Sequence, residues 1–110
     1  MKFVFSEIAR QTLRDIILYY RDIDRQYVDG GSHLAEQVYL DVNNAIGRLL
    51  LFPQQGTLFD KTERVYRLNL NFNLGLFYVF DEKFVKVVAI VDLRRDVSQY
   101  KALIQKSDKL

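Results

Sequence analysis

Two groups of residues have the types and spacing to handle anions. Arg67, Asn69 and Asn71 fall at alternate positions, shortly after Arg64. Arg94, Arg95 and Tyr100 follow a second apolar run. A guanidinium presents paired N–H donors that clamp a phosphate or a carboxylate in two-pronged fashion. The bland alternative is a charged rim, with these arginines paired to Glu63, Asp92 or Asp96. Exposed pairs of that kind contribute little.

Other chemistries lack their residues. The chain has no cysteine, so it holds no thiol nucleophile, disulfide or zinc–thiolate site. His33 is the one histidine. It stands at a predicted helix start, where an exposed residue is the ordinary reading, and no second histidine or cysteine joins it to bind a metal. There is no glycine-rich phosphate loop, nucleotide fingerprint or G-x-S-x-G elbow. No cofactor is expected. Lys and Arg number 16 against 14 Asp and Glu, a net charge of +2, so any nucleic-acid-binding patch must be local.

The elements that must position these residues are legible from periodicity. With 110 residues, 49% hydrophobic and 27% charged, residues 1–110 read as a single globular domain. Lys2–Phe5 is a short β-prone run, and Ser6 is placed to cap a helix. Ala9, Leu13, Ile16, Tyr20, Ile23 and Tyr27 then recur at spacings of three and four, one stripe of an amphipathic helix. Arg10, Arg14, Arg21 and Arg25 fall outside that stripe, interleaved with Asp15, Asp22 and Asp24, and read as a solvated face. Asp29-Gly30-Gly31 breaks the helix. A second helix begins near Ser32, carries a wider stripe from Leu34 to Leu50, and stops at Pro53, the only proline.

The period then changes to two. Tyr66, Leu68, Leu70 and Phe72 alternate with Val65, Arg67, Asn69 and Asn71, predicting a half-buried strand with a polar outer face. Leu74–Phe80 and Phe84–Leu93 are nearly continuous apolar runs, as in central strands covered on both faces. Asp81-Glu82-Lys83 joins them as a hairpin, and Val97–Ile104 offers a short final helix. The fold class is therefore α+β, in the order β-α-α-β-β-β. An antiparallel helix hairpin packs on one face of a mainly antiparallel sheet. Phe3–Phe5 is too short for a signal-peptide core, and no apolar run approaches the ~20 residues of a membrane helix. A soluble, cytoplasmic protein is expected.

From Phe3 to Tyr100 the chain resembles the RelE/ParE superfamily of bacterial type II toxins, or plasmid stabilisation proteins. The resemblance rests on Ala9, Leu13, Asp15, Ile16, Tyr19 and Tyr20 in the first helix, and on Leu51-Phe52-Pro53-Gln54-Gln55-Gly56. It continues through Tyr66-Arg67-Leu68, Phe77-Tyr78 before Asp81, and the run from Val87 to Arg94, Arg95 and Asp96. Two mechanisms come with it. RelE-like toxins are metal-independent ribonucleases that cut mRNA on the ribosome, and the resemblance would place their catalytic groups at Arg67, Asn69, Gly75, Arg94 and Tyr100. Only Arg67, Arg94 and Tyr100 are suitable there. Asn69 exchanges no proton, Gly75 offers no charge, and losing one electrostatic contact to a transition state typically costs ~10²–10³ in rate. Lys61, Lys86 or Lys101 would have to fill the gap.

ParE-like toxins have the same fold without that set; they bind DNA gyrase and block replication. The departures at Asn69 and Gly75 fit this branch better. The resemblance then implies a growth-inhibiting toxin whose Arg64, Arg67, Asn69, Arg94, Arg95 and Tyr100 form a surface for a target or an antitoxin. It also implies a hetero-oligomeric complex with a cognate antitoxin and no membrane partner. An inactive or binding-only homologue is the further alternative. The antitoxin would be received in the groove beside the helix hairpin or on the exposed sheet face. Tyr19, Tyr27 and Tyr39 read as core or core-edge residues, with one or two as partner anchors.

Overall fold

A computed structural model describes residues 1–27 and 33–109. The elements run β1 (Lys2–Phe5), α1 (Glu7–Arg25), α2 (Leu34–Leu51), a 3₁₀ turn (Pro53–Gln55), β2 (Thr57–Asp60), β3 (Val65–Asn69), β4 (Leu74–Phe80), β5 (Phe84–Asp92) and α3 (Val97–Lys106). They form one five-stranded sheet in the order β1-β5-β4-β3-β2. Only the β1–β5 pair is parallel. The α+β class, the helix pair and the final helix are as the periodicity predicts. The additional strand is β2, an edge strand within the stretch between the Gln-Gln-Gly turn and Arg64. The predicted Asp29-Gly30-Gly31 break and the Ser32 start lie outside the described residues.

Alternation divides each strand between two cores. Leu76 and Tyr78 of β4, with Val85, Val87 and Ile90 of β5, meet the helix hairpin through Ala9, Val42, Ala45, Ile46 and Leu49. On the opposite face, Val65, Phe77, Val79, Ala89 and Val91 meet Tyr100 and Ile104 of α3. The face of β3 that bears Arg67 is therefore not simply polar and outward. Val65 is fully buried and Arg67 partly so, because α3 and Phe59 cover that side.

Two hydroxyls, from the Ser6 cap and from Thr12 of α1, complete the sheet. β1 pairs with β5 only as far as Val87, which leaves the next backbone groups on that side of β5 without a strand neighbour, while β4 continues along the other side. The Ser6 hydroxyl accepts from the Ala9 N–H at 2.9 Å, capping α1, and donates to the Val88 carbonyl at 2.9 Å. The Ile90 N–H donates to the Thr12 hydroxyl at 3.2 Å. Hydroxyls from a helix thus satisfy polar groups that would otherwise be buried without partners.

Asp24 performs the corresponding task for α2. Its two carboxylate oxygens accept from the Leu34 and Ala35 N–H groups at 2.9 and 3.0 Å, placing negative charge at the positive end of the helix. His33, the residue before the helix, makes no side-chain capping bond. Asp24→Ala is expected to lower unfolding free energy by about 2 kcal/mol, since charged capping bonds and the dipole interaction are lost together. Urea unfolding checks this. A midpoint unchanged from the parent would mean that Asp24 does not hold the hairpin together.

Candidate functional site

The predicted anion-handling residues divide into two places. The first is the C-terminal end of β5, where the chain passes α1. Asp15, Tyr19, Tyr20, Asp92, Arg94 and Arg95 line a cleft of about 400 Å³. Arg95 and Tyr100 share a second hollow of about 240 Å³ with Asp15 and Asp92. The second place is β3, where Arg67 and Asn69 share one face, with Arg64 in the turn before it at a left-handed φ of 55°.

Arg94 is committed within the first place. Its Nε donates to Asp92 Oδ1 at 3.0 Å and its Nη2 to Oδ2 at 2.7 Å, while its backbone N–H also donates to Oδ1 at 2.9 Å. The side-chain bond from Arg94 holds the Asp92 carboxyl below its ordinary value, against burial, which acts the other way. Burial raises the Tyr20 phenol above its ordinary value, against the nearby Arg94 charge, which lowers it. The rim pairing weighed for the arginines is what Arg94 does. Asp92 therefore supplies stability above its unfolded value of 3.8 that fades as pH falls below it. Arg94→Gln is expected to return the Asp92 carboxyl toward its ordinary range, read as an upward shift of its midpoint in an NMR titration. An unmoved midpoint would show that some other group depresses it.

Tyr100 is only 6% exposed. Its ring lies 5.7 Å from that of Phe77 and 6.2 Å from that of Phe59. Arg67 stands opposite Phe77 in the β3–β4 ladder, so Arg67 and Tyr100 both border Phe77. Among the described residues, no hydrogen bond joins Arg67, Arg94 and Tyr100 to one another.

Gly75 is explained by its neighbours. It stands between Asn69 on β3 and Val91 on β5. A Cβ built there would come within 2.7 Å of Leu93 Cδ2 and 3.1 Å of Leu93 Cγ. The side chain of Leu93 fills the space that any larger residue at 75 would need. A side chain at position 75 would require that of Leu93 to turn aside, and the residue opposite it is the neutral Asn69.

The three tyrosines read as core or core edge are surface residues: Tyr19, Tyr27 and Tyr39 are 58%, 58% and 55% exposed. Tyr27 lies beyond the end of α1, while Tyr19 and Tyr39 stand on the flanks of their stripes above open clefts. The cleft-lining roles of Asp15, Tyr19 and Tyr20 were not singled out from sequence.

Among the described residues no helix is long and apolar enough to cross a membrane. No protein-family model matches the chain, and a search of curated proteins found no match.

Proposed function

We propose that this chain is a cytoplasmic toxin of the RelE/ParE kind that acts by binding DNA gyrase, not by cutting mRNA, and that a cognate antitoxin neutralises it in a hetero-oligomeric complex. The toxin class rests on the ordered motifs between Phe3 and Tyr100. The choice of branch rests on the packing of Leu93 over Gly75 opposite Asn69. Phosphodiester cleavage by an RNA 2′-hydroxyl needs a base, an acid and cations around the pentavalent phosphate. Here one cationic position is a glycine with Leu93 packed over it, Arg94 is neutralised by Asp92, and the ring of Tyr100 is packed between two phenylalanines. A binding protein needs only a shaped surface with a few anchors. Phe3, Tyr39, Leu51 and Phe52 are large apolar side chains exposed outside the α3 face, in keeping with a partner that covers them.

A paired assay on protein freed of antitoxin tests both branches. One arm follows gyrase-dependent cleavage complexes on supercoiled plasmid, and the other maps mRNA cuts in a purified translation system. Accumulated gyrase cleavage with intact mRNA is the expected result. Codon-phased mRNA cuts with normal gyrase would overturn it in favour of the ribonuclease branch.

A further inference from the structure

We propose that the outer edge of β1 is a docking edge for a second copy of this chain, the two β1 strands pairing antiparallel about a two-fold axis through Val4. The inference does not use the toxin reading; it rests on where the backbone hydrogen bonds of β1 go.

β1 ends the sheet on one side. The Lys2 N–H donates to the Lys83 carbonyl at 3.1 Å and the Ser6 N–H to the Val87 carbonyl at 2.9 Å, so Lys2, Val4 and Ser6 turn their backbone groups toward β5. By alternation Phe3 and Phe5 turn theirs outward. Among the described residues nothing bonds the N–H or C=O of either. Edge strands are ordinarily guarded by charge, proline or a bulge. β2, at the other end of the sheet, is guarded: its pairing shifts between Leu58 and Asp60, and it ends on a carboxylate. β1 runs without a register shift, carries no proline and only one charge, Lys2, and leaves Phe3 and Val4 exposed.

The open groups and the charges select the occupant and its register. With the axis at Val4, Phe3 lies opposite Phe5 of the second copy, and each such pair exchanges both bonds. Every outward N–H and C=O of Phe3 and Phe5 in both copies is then satisfied. The same axis brings Lys2 opposite Ser6 of the second copy and beside its Glu7; neither Lys2 nor Glu7 has an ion pair among the described residues. A pairing centred on Phe3 instead would make the two Lys2 residues diagonal neighbours about 7–8 Å apart. The rings of Phe3 and Phe5 meet edge to face at 5.9 Å and border a hollow of about 410 Å³ shared with Leu13, Tyr39, Val42 and Ile46. Pairing sets Phe3 of each copy beside Phe5 of the other, so the two apolar hollows adjoin at the axis. Two five-stranded sheets become one, with both helix hairpins on one side, within the usual size of an open sheet. The contact is one four-residue strand and the hollow beside it, which places it among weak, concentration-dependent interfaces.

The test uses the full chain, which has no cysteine of its own. Val4 meets its own copy at the axis in a pair whose Cα atoms lie about 4.5 Å apart, a span a disulfide bridges. Under mild oxidation V4C should therefore link to itself at least about tenfold faster than V97C, an equally exposed site met only by collision. K2C should link no faster than V97C, because the two Lys2 positions lie roughly 13 Å apart. Sedimentation velocity between about 1 and 300 µM should show reversible dimers that dissociate toward the low end. K2E and E7K, checked for native circular dichroism, should each weaken the dimer about 3- to 10-fold, and K2E/E7K should restore it. A monomer throughout the range, equal linking of V4C and V97C, or a double reversal no better than its singles would overturn the proposal. Phe3 and Phe5 amides that gain protection from hydrogen exchange only when an antitoxin is added would assign the edge to that partner and overturn it as well.

Discussion

Tyr100→Ala is expected to lower unfolding free energy by about 3–5 kcal/mol, the cost of emptying a large aromatic site that cannot collapse. The ring is buried between Phe59 and Phe77, one helical turn from buried Ile104, and it links α3 to the second core. Tyr100→Phe keeps the ring and should change stability by less than about 1 kcal/mol. Urea unfolding of both variants measures the difference. The phenylalanine variant also separates mechanisms: a gyrase-binding protein held together by this ring keeps its potency, whereas a ribonuclease that uses the phenol loses it. Full loss of toxicity in a stably folded Tyr100→Phe protein would count against the binding reading.

The second large effect is expected at Tyr78, fully buried in the other core. Its hydroxyl donates to the Pro53 carbonyl at 2.6 Å and accepts from the Gly56 N–H at 2.9 Å. One phenol thereby clips the turn after α2 to the centre of the sheet. Gly56 is obligatory beneath it, since a Cβ there would lie 2.5 Å from the Tyr78 oxygen and 2.9 Å from the Arg67 carbonyl. Tyr78→Phe leaves two backbone groups without this partner and should cost about 2–4 kcal/mol. Burial raises the Tyr78 phenol above its unfolded value of 10.0, against the Gly56 bond, which lowers it. In that direction the folded state holds the proton more tightly. Its contribution is whole below pH 10 and fades as pH rises through the folded-state value. Stability profiles against pH should therefore decline above 10 in the parent and decline less in Tyr78→Phe. Tyr20, also raised by burial, continues to contribute. Superimposable alkaline limbs would show that folding does not raise the Tyr78 phenol above its unfolded value.

Periodicity was enough for the helix pair, the central strands and α3, because apolar spacing reports directly on which side of an element meets a core. It could not show that Val65 and Arg67 share a face with a second core, because a strand pattern does not say what covers its other side. Thr57–Asp60 escaped notice because a four-residue edge strand has too little length to display a period. The candidate site was legible by residue type and not by pairing. Arg94 was visible as a cation, and its commitment to Asp92 two residues earlier depends on the backbone turning after β5. Gly75 was visible as a missing side chain, while the leucine that packs over it follows the end of the neighbouring strand.

The placement of β5 also bears on the birth of the protein. Lys2 pairs with Phe84 and Phe5 with Val87, and Ser6 and Thr12 bond to Val88 and Ile90. The first twelve residues therefore complete their contacts only with residues made about eighty positions later. At ~5–20 residues per second on the ribosome, the N-terminal segment waits about 4–16 s for the strand that receives it. Until then the sheet lacks the strand that joins β1 to β4, and β4 lacks its inner neighbour. The sheet closes only once Phe84–Asp92 has been made, so a truncated product that stops before Phe84 has no route to the native fold.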